Sequence, residues 1–218
     1  MYFRVIIDYF IMRFILKFSF LLFFCFSCST DNDDFDPIDL YLSYENQPTT
    51  KKGVAFSLSS VDSWDYRLTN LNAKWHYSWN WELQDNYPED VEFVPMIWGQ
   101  ASTSTSIMQN IQSLVNSGDI THLLAFNEPD LVSQANMTVD QVIDTWGRFE
   151  GTGAILGSPV TAAPLNNWMT EFMTRASDEN LVVDFVAVHW YGPPNSADFI
   201  NKINEVFDQY QKPIWITE

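Results

Sequence analysis

The stretch KPIWITE (212–218) places a glutamate directly behind a short apolar run. Ile214, Trp215 and Ile216 are apolar at successive positions, which is typical of a strand covered on both faces in a parallel sheet. Glu218 therefore lies at the carboxyl end of a predicted strand. In parallel α/β proteins, that edge of the sheet carries the chemistry.

Similar apolar runs recur along the chain from Gly53 onward and alternate with stretches of helical period. This alternation predicts repeated βα units. Most of the runs are apolar at successive positions, as expected for parallel strands. The seven predicted strands are GVAFS (53–57), AKWHYSW (73–79), EFVPMIW (92–98), HLLAFN (122–127), AILGSPV (154–160), DFVAVHWY (184–191) and PIWIT (213–217).

Four helices are predicted between the later strands. The first has an apolar stripe between a Ser/Thr-rich start and Gly118, which is suited to end a helix. Thr138 and Gln141 form a capping box at the start of the second. Apolar stripes beginning at Leu165 and Phe199 predict the other two.

The order of these elements favours a (β/α)8 barrel over a doubly wound sheet. A doubly wound sheet usually has a glycine-rich phosphate loop after its first strand, and GVAFSLSS (53–60) is not such a loop. A complete barrel takes about 250 residues, and 53–218 covers roughly two thirds of that length. We therefore expect an α/β fold, a TIM barrel truncated after strand 7, with strand 8 and the last helices missing. Such a chain is expected to have little activity by itself, because an open sheet edge is exposed.

Composition narrows the classes of partner. The chain of 218 residues is 46% hydrophobic and 16% aromatic, which predicts one domain with a full core. A formal charge of -17 repels nucleic-acid phosphates and anionic membrane surfaces, so we expect no nucleic-acid partner. Nine tryptophans and nine tyrosines suit sugar faces as well as protein interfaces, and composition does not choose between these.

Two glutamates have the same setting in this predicted sheet. Asn127 and Glu128 end the fourth strand, and Glu218 ends the seventh. Glycoside hydrolysis requires two carboxylates at one barrel mouth, since one protonates the leaving oxygen while the other attacks or stabilises the anomeric carbon. Taken singly, each glutamate has a simpler interpretation: Glu218 as a solvated terminal charge, and Glu128 as an acid at a helix N-terminus before Pro129. Their joint placement favours the catalytic interpretation.

The stretches LLAFNEPD (123–130), FVAVHWYG (185–192) and IWITE (214–218) resemble sequences of glycoside hydrolase family 128, in the clan of (β/α)8 glycosidases. The resemblance covers about Gly53 to the end. It implies a retaining, endo-acting hydrolase of β-1,3-glucan that needs no cofactor. It also implies Glu128 as general acid/base, Glu218 as nucleophile and Asn127 as the partner of the sugar's 2-hydroxyl. The alternative is a surface glycan-binding lipoprotein without turnover.

Aromatic residues near the predicted strand ends are candidates for substrate binding. By analogy within the clan, His189 or Tyr191 orients the nucleophile and Trp190 stacks on sugar, although an aromatic core cluster is the alternative. Trp98 and Trp79 are further candidate platforms. Strand alternation predicts that residues 75, 77, 79 and 81 point to one side and His76 to the other. We expect a monomer that binds β-glucan polysaccharide or oligosaccharide.

A metal site is not expected. The histidines at 76, 122 and 189 lack the short spacing of a metal-binding motif. Both cysteines, Cys25 and Cys28, lie in the first thirty residues, so the folded part offers no thiolate.

The amino-terminal segment is typical of an export signal. Arg13 and Lys17 precede FSFLLFFCFSC (18–28), an apolar run too short to span a bilayer. Its end at Cys28, followed by the acidic STDNDDFD, resembles a bacterial lipoprotein signal, with an ordinary signal peptide as the alternative. The expected organisation is a signal peptide over 1–28 with lipidated Cys28, an acidic flexible tether over 29–52 and a partial glycoside hydrolase domain over 53–218. We expect an outer-membrane or cell-surface protein that touches the membrane only through its lipid.

Overall fold

A computed structural model of the chain describes residues 51–57 and 64–218. The predicted signal peptide with Cys28 lies outside these residues, as does all but the end of the predicted tether. The strands are β1 (Gly53–Ala55), β2 (Trp75–Tyr77), β3 (Glu92–Phe93), β4 (His122–Leu123), β5 (Ile155–Leu156), β6 (Val186–Val188) and β7 (Ile214–Ile216). The helices are α1 (Trp64–Asn70), a 3-10 turn (Gln100–Thr103), α2 (Thr105–Ser117), α3 (Val139–Glu150), α4 (Asn167–Asp178) and α5 (Ser196–Tyr210).

The strands follow one another in chain order, and every pair is parallel. β1, β2 and β3 form one ladder, β4 pairs with β5, and β6 pairs with β7. Single parallel bridges, Met96 to Leu124 and Gly157 to Phe185, join the third predicted strand to the fourth and the fifth to the sixth. All seven predicted strands are confirmed, each as a core shorter than its apolar run. The fold is therefore α/β, as predicted.

The sheet is curled. Side chains of β2 and β7 contact each other inside it, although these two strands are not paired. The ring centroids of Trp75 and Trp215 are 4.9 Å apart. The hydroxyl of Tyr77 donates a hydrogen bond to the carbonyl oxygen of Thr217 at 2.8 Å. The buried residues that fill the inside of this curl are Tyr77, Val94, Met96, Leu124, Val160, Phe185 and Ala187.

A second and larger core lies between the outer face of the sheet and the helices. Trp146 and Phe149 of α3 are fully buried and stack with ring centroids 5.1 Å apart. Phe172 of α4 packs against Trp146 at 5.0 Å. Parallel strands thus bury both faces, one against each core, which explains why their sequences are apolar without alternation.

The predicted helix boundaries follow from their capping residues. The side chain of Ser104 accepts a hydrogen bond from the backbone N–H of Ile107 at the start of α2, and Gly118 ends this helix with φ 83°. Thr138 and Gln141 form the predicted capping box of α3. The four predicted helices are confirmed. None of the described helices is both long and apolar enough to cross a membrane.

One step of the chain departs from the predicted alternation of strands and helices. Residues 78–91, all of which the structure describes, form turns, bends and irregular backbone and contain no helix between β2 and β3. Trp79 opens this segment with a left-handed backbone, φ 54°, which breaks the strand pattern. As a consequence, Trp75, Tyr77 and Trp79 pack with the inner cluster, whereas Trp81 packs against the outer one. The predicted placement of Trp81 on the same side is therefore wrong.

Candidate active site

Glu128 and Glu218 lie at the carboxyl edge of the sheet, each fixed by its backbone. The N–H of Glu128 donates to the carbonyl oxygen of Val160 at 2.7 Å, which binds the end of the fourth strand to the fifth. The carbonyl oxygen of Glu218 accepts from the N–H of Trp190 at 2.8 Å, which binds the end of the seventh strand to the sixth. Both side chains therefore start from defined points on one edge.

Glu128, His189 and Glu218 come together at this edge. One oxygen of each carboxylate and a ring nitrogen of His189 lie within 4.8 Å of one another. Nδ1 of His189 is hydrogen-bonded to Oε1 of Glu128 at 3.0 Å. Nε2 lies 3.3 Å from Oε1 of Glu218 but off the direction of a hydrogen bond. The buried imidazole thus lies between the two acids.

The carboxylate of Glu218 is surrounded by side-chain donors. The indole Nε1 of Trp79 donates to its Oε1 at 2.6 Å, and the hydroxyl of Tyr77 lies 3.4 Å from the same oxygen. The hydroxyl of Tyr191 donates to Oε2. Only 15% of the Glu218 side chain is exposed. The interpretation of Glu218 as a solvated terminal charge is therefore wrong.

The two tyrosines that contact Glu218 stay protonated at neutral pH and can donate hydrogen bonds. The hydrogen bond to the Glu218 carboxylate, with partial burial, raises the pKa of Tyr191 to about 12. Burial, followed by the nearby charge of Glu218, raises the pKa of Tyr77 above its ordinary value. Each phenol therefore keeps the proton with which it binds the carboxylate.

Glu128 is buried and is not a helix-terminal acid. Its residue is 6% exposed, and the ten residues that follow it form turns before α3 begins at Val139. Its backbone has φ 43°, a left-handed conformation that is uncommon for any residue other than glycine. Such strain persists only where surrounding contacts hold it, and it is frequent at functional sites.

A cleft of about 500 Å³ opens above the two acids. Its lining contains four of the residues selected from sequence besides the glutamates, namely Trp79, Trp98, Asn127 and Tyr191. Nδ2 of Asn127 donates to Oε1 of Gln134 at 3.4 Å, while its Oδ1 is buried and has no hydrogen-bond partner among the described residues. Aromatic rings, an amide and two carboxylates therefore share one cleft.

Among the described residues, those that line this cleft do not include Trp190. Its ring packs edge-on against Phe199 of α5, with centroids 5.6 Å apart. Trp190 thus packs in an aromatic cluster, which was the alternative to sugar stacking in the sequence analysis.

A larger cavity, of about 790 Å³, lies between residues 81–93 and α2. It contains neither Glu128 nor Glu218, and its lining includes the carboxylates Glu82, Asp85 and Glu89. Size alone does not make it a reactive site. Among the described residues, the group of three acidic or histidine side chains within 4.8 Å of one another is Glu128, His189 and Glu218, and both of these glutamates line the smaller cleft.

Comparison with known proteins identifies the family. The family model described as glycosyl hydrolase catalytic core matches residues 53–218. A crystal structure of a family 128, subgroup I, endo-β-1,3-glucanase from Amycolatopsis mediterranei with laminaritriose has a TM-score of 0.68 and 35% sequence identity, and the match covers 77% of this chain and 70% of that one. The chain belongs to glycoside hydrolase family 128.

Two other relatives show the range of this family. A subgroup III, curdlan-specific exo-β-1,3-glucanase from Blastomyces gilchristii has a TM-score of 0.61 and 30% identity, covering 78% of this chain and 76% of that one. Alkali-sensitive linkage protein 1 of Schizosaccharomyces pombe is 29% identical over 177 residues, which are 77% of this chain and 31% of that protein. The chain thus spans about a third of the length of this curated relative.

The Amycolatopsis enzyme was also crystallised with either of two glutamates substituted. These structures hold laminari-oligosaccharides from laminaribiose to laminarihexaose.

The family 128 cleft contains three residues that the sequence did not single out, Leu131, Gln134 and Ala162. Leu131 and Gln134 follow the fourth predicted strand, and Ala162 follows the fifth. Their position directly after strand ends was a usable signal, because these loops form the active-site face of parallel folds. Tyr77 was noted only as one of several aromatic residues around β2, and its contact with Glu218 depends on the curl of the sheet.

Proposed function

We propose that this chain is a retaining hydrolase of β-1,3-glucan, with Glu128 as acid/base and Glu218 as nucleophile. The observation that carries the proposal is the approach of the two carboxylates, whose oxygens lie within 4.8 Å. Retaining glycosidases have carboxyl groups about 5 to 5.5 Å apart, whereas inverting enzymes need about 6.5 to 9.5 Å to admit a water. The short separation supports retention.

The proposed reaction has two displacements. Glu128 protonates the leaving oxygen while Glu218 attacks the anomeric carbon, which gives a glycosyl-enzyme. Glu128 then removes a proton from water as the water attacks the anomeric carbon; the bond to Glu218 breaks, the sugar is released, and Glu128 is again protonated while Glu218 is again a carboxylate. The hydrogen bond between His189 and Glu128 and the donors around Glu218 support these roles, because they fix each carboxylate relative to the other.

The substrate is proposed from the cleft together with the relatives. The exposed ring of Tyr191 and the cleft faces of Trp79 and Trp98 suit stacking on sugars. Asn127 lines the cleft beside Glu128, and its amide is the proposed partner of the sugar's 2-hydroxyl. Endo action is proposed on the model of the subgroup I enzyme, since the exo-acting relative is less similar.

The architecture is proposed to be that of a (β/α)8 barrel. Seven parallel strands in chain order, with β2 and β7 side chains in contact inside the curl, support this arrangement over an open sheet. The contacts that hold the two carboxylates favour turnover over the low activity expected from an incomplete barrel.

The proposal is tested with laminarin and the full chain. Wild type should release reducing ends, and proton NMR should find the β-anomer as the first product. Glu128→Gln and Glu218→Gln should each lose at least about a hundredfold in kcat, since each removes a reacting group. Glu171→Gln, an exposed acid on α4, is the matched control and should keep full activity. An α-anomeric first product, or activity in Glu218→Gln, would overturn the mechanism.

A glycan-binding protein without turnover is the other candidate. Affinity electrophoresis in laminarin gels, run beside the activity assay, separates the two. Retarded migration with no release of reducing ends from the wild type would establish binding in place of hydrolysis.

We further propose that the exported chain is anchored through a lipid on Cys28. The apolar run that ends at this cysteine before an acidic stretch supports the proposal. Cys28→Ala should move the protein from the membrane fraction to the soluble one with unchanged laminarin activity. A wild type that is never lipidated and lies in the soluble fraction would favour an ordinary signal peptide, and a mutant that persists in the membrane fraction would favour another anchor.

A further inference from the structure

Trp79 has an unusual backbone for its residue type. Six described residues other than glycine have positive φ, and three of them are asparagines, which tolerate this conformation. Trp79, with φ 54°, is the aromatic member of this set. A large ring in this region is a genuine outlier and persists only where the surrounding structure holds it.

The contact made by the indole accounts for this placement. Nε1 of Trp79 donates to Oε1 of Glu218 at 2.6 Å, the shorter of the two bonds from the second strand to that oxygen. The ring also packs edge-on against the buried Tyr77, with centroids 5.2 Å apart and an interplanar angle of 62°. The indole is thus held from one side while its N–H is directed at the carboxylate.

The other donors to Glu218 hold it differently. Tyr191 is 71% exposed, so little packing holds its ring. Tyr77 lies farther away at 3.4 Å and gives its shorter bond, 2.8 Å, to the carbonyl of Thr217. Trp79 therefore gives Glu218 a short bond from a partly buried ring that packs against the inner cluster.

We propose that Trp79 is a positioning residue for the nucleophilic carboxylate. Its N–H fixes Oε1 of Glu218, so that the carboxylate keeps the orientation needed for attack on the anomeric carbon. This inference rests on the proposed retaining function. It assigns to Trp79 a role through its nitrogen, in addition to the sugar-stacking role proposed for its ring.

The decisive perturbation removes the N–H and keeps the ring. Benzothienylalanine, in which sulfur replaces the indole nitrogen, is incorporated at position 79 of the full chain, and Trp79→Phe serves as a second variant. The probe is a β-1,3-linked glucosyl donor with fluorine at C2 and fluoride as leaving group, which traps the glycosyl-enzyme. Intact-mass spectrometry measures the rate constant of labelling and the concentration for half-maximal rate.

The labelling rate constant should fall about tenfold to a hundredfold, as expected for loss of a hydrogen bond to a charged group, while the half-maximal concentration changes less than about threefold. The matched control carries the same replacement at Trp168, whose indole donates to the carbonyl of Met137 at 2.9 Å outside the cleft. It should label at the wild-type rate. A purely structural role would lower the fraction of active protein without this split.

An unchanged rate constant at position 79, or a change confined to the half-maximal concentration, would overturn the inference and leave Trp79 as a sugar platform. Wild type that is neither labelled nor active would overturn the proposed function, and this inference with it. A second measurement does not need the Trp79 variants to fold. The indole N–H resonance of Trp79 in wild type should shift upfield in Glu218→Gln, because the acceptor loses its charge, and an unmoved resonance would refute the contact.

Discussion

The hydroxyl of Tyr77 ties the second strand to the seventh, and its removal should measure how firmly the curl of the sheet is held. Tyr77 is fully buried, and its hydroxyl donates to the carbonyl of Thr217 at 2.8 Å across the inside of the curl. Tyr77→Phe keeps the ring and its packing but leaves that buried carbonyl without the donor. The variant therefore isolates one hydrogen bond between strands that are not paired.

The expected loss follows from the burial of both groups. A buried acceptor left without its partner costs about 1 to 3 kcal/mol. For a chain of this size, each kcal/mol lowers the melting temperature by about 2 to 4 °C. We expect the urea midpoint of Tyr77→Phe to fall accordingly with an unchanged slope, since the surface exposed on unfolding stays the same.

The control is Tyr210→Phe. Tyr210 of α5 donates to the carbonyl of Pro164 at 3.0 Å, is only half-buried and does not line the cleft. It should lose less stability than Tyr77→Phe and keep full laminarin activity. Tyr77→Phe should also lose activity by a small factor, because its hydroxyl is 3.4 Å from Glu218. An unchanged urea midpoint would refute the reasoning that this bond holds β2 against β7.

Two further predictions concern stability. Burial lowers the pKa of His76 from 6.5 to about 4, so between these pH values the unfolded chain binds a proton that the folded chain does not. The unfolding free energy should therefore fall as pH drops through this window, by up to about 1.4 kcal/mol per pH unit. Urea titrations at several pH values should find that the unfolding free energy of His76→Phe depends less on pH. Gly157→Ala should cost about 1 to 3 kcal/mol, because the added Cβ would lie 2.7 Å from the ring of Phe185, whereas Gly99→Ala meets only an ordinary contact at 3.5 Å and should leave the urea midpoint nearly unchanged.

The sequence predicted those features that depend on local pattern. Successive apolar residues located all seven strands, and capping residues such as Thr138 and Gln141 located the helix ends, because both signals are contained in a few neighbouring positions. The short helix α1 and the helix-free segment 78–91 were not predicted. Both lie where short polar stretches have no clear period.

The contacts of the site could be predicted only in part, since they join residues far apart in the chain. Two glutamates at strand ends implied one shared edge, and the structure brings their oxygens within 4.8 Å. The position of His189 between the two acids and the bond from Trp79 to Glu218 need the curl of the sheet and the exact turn after β2. Alternation alone would have placed Trp81 beside Trp79, and the left-handed residue at 79 prevents it.

The strained backbone conformations in this domain lie at the proposed acid pair, Glu128 and Glu218. Apart from glycines, asparagines and a helix cap, Trp79 and Glu128 are the two described residues with positive φ; Glu128 is one of the two acids, and Trp79 donates a hydrogen bond to the other. Each is held by contacts across the sheet: Glu128 by its N–H bond to Val160, and Trp79 by its ring on Tyr77. Local propensity opposes both conformations, so their presence requires tertiary contacts that outweigh it. The same contacts fix the directions of the two carboxylates, and the stability of the curled sheet is therefore expected to set the geometry of the chemistry.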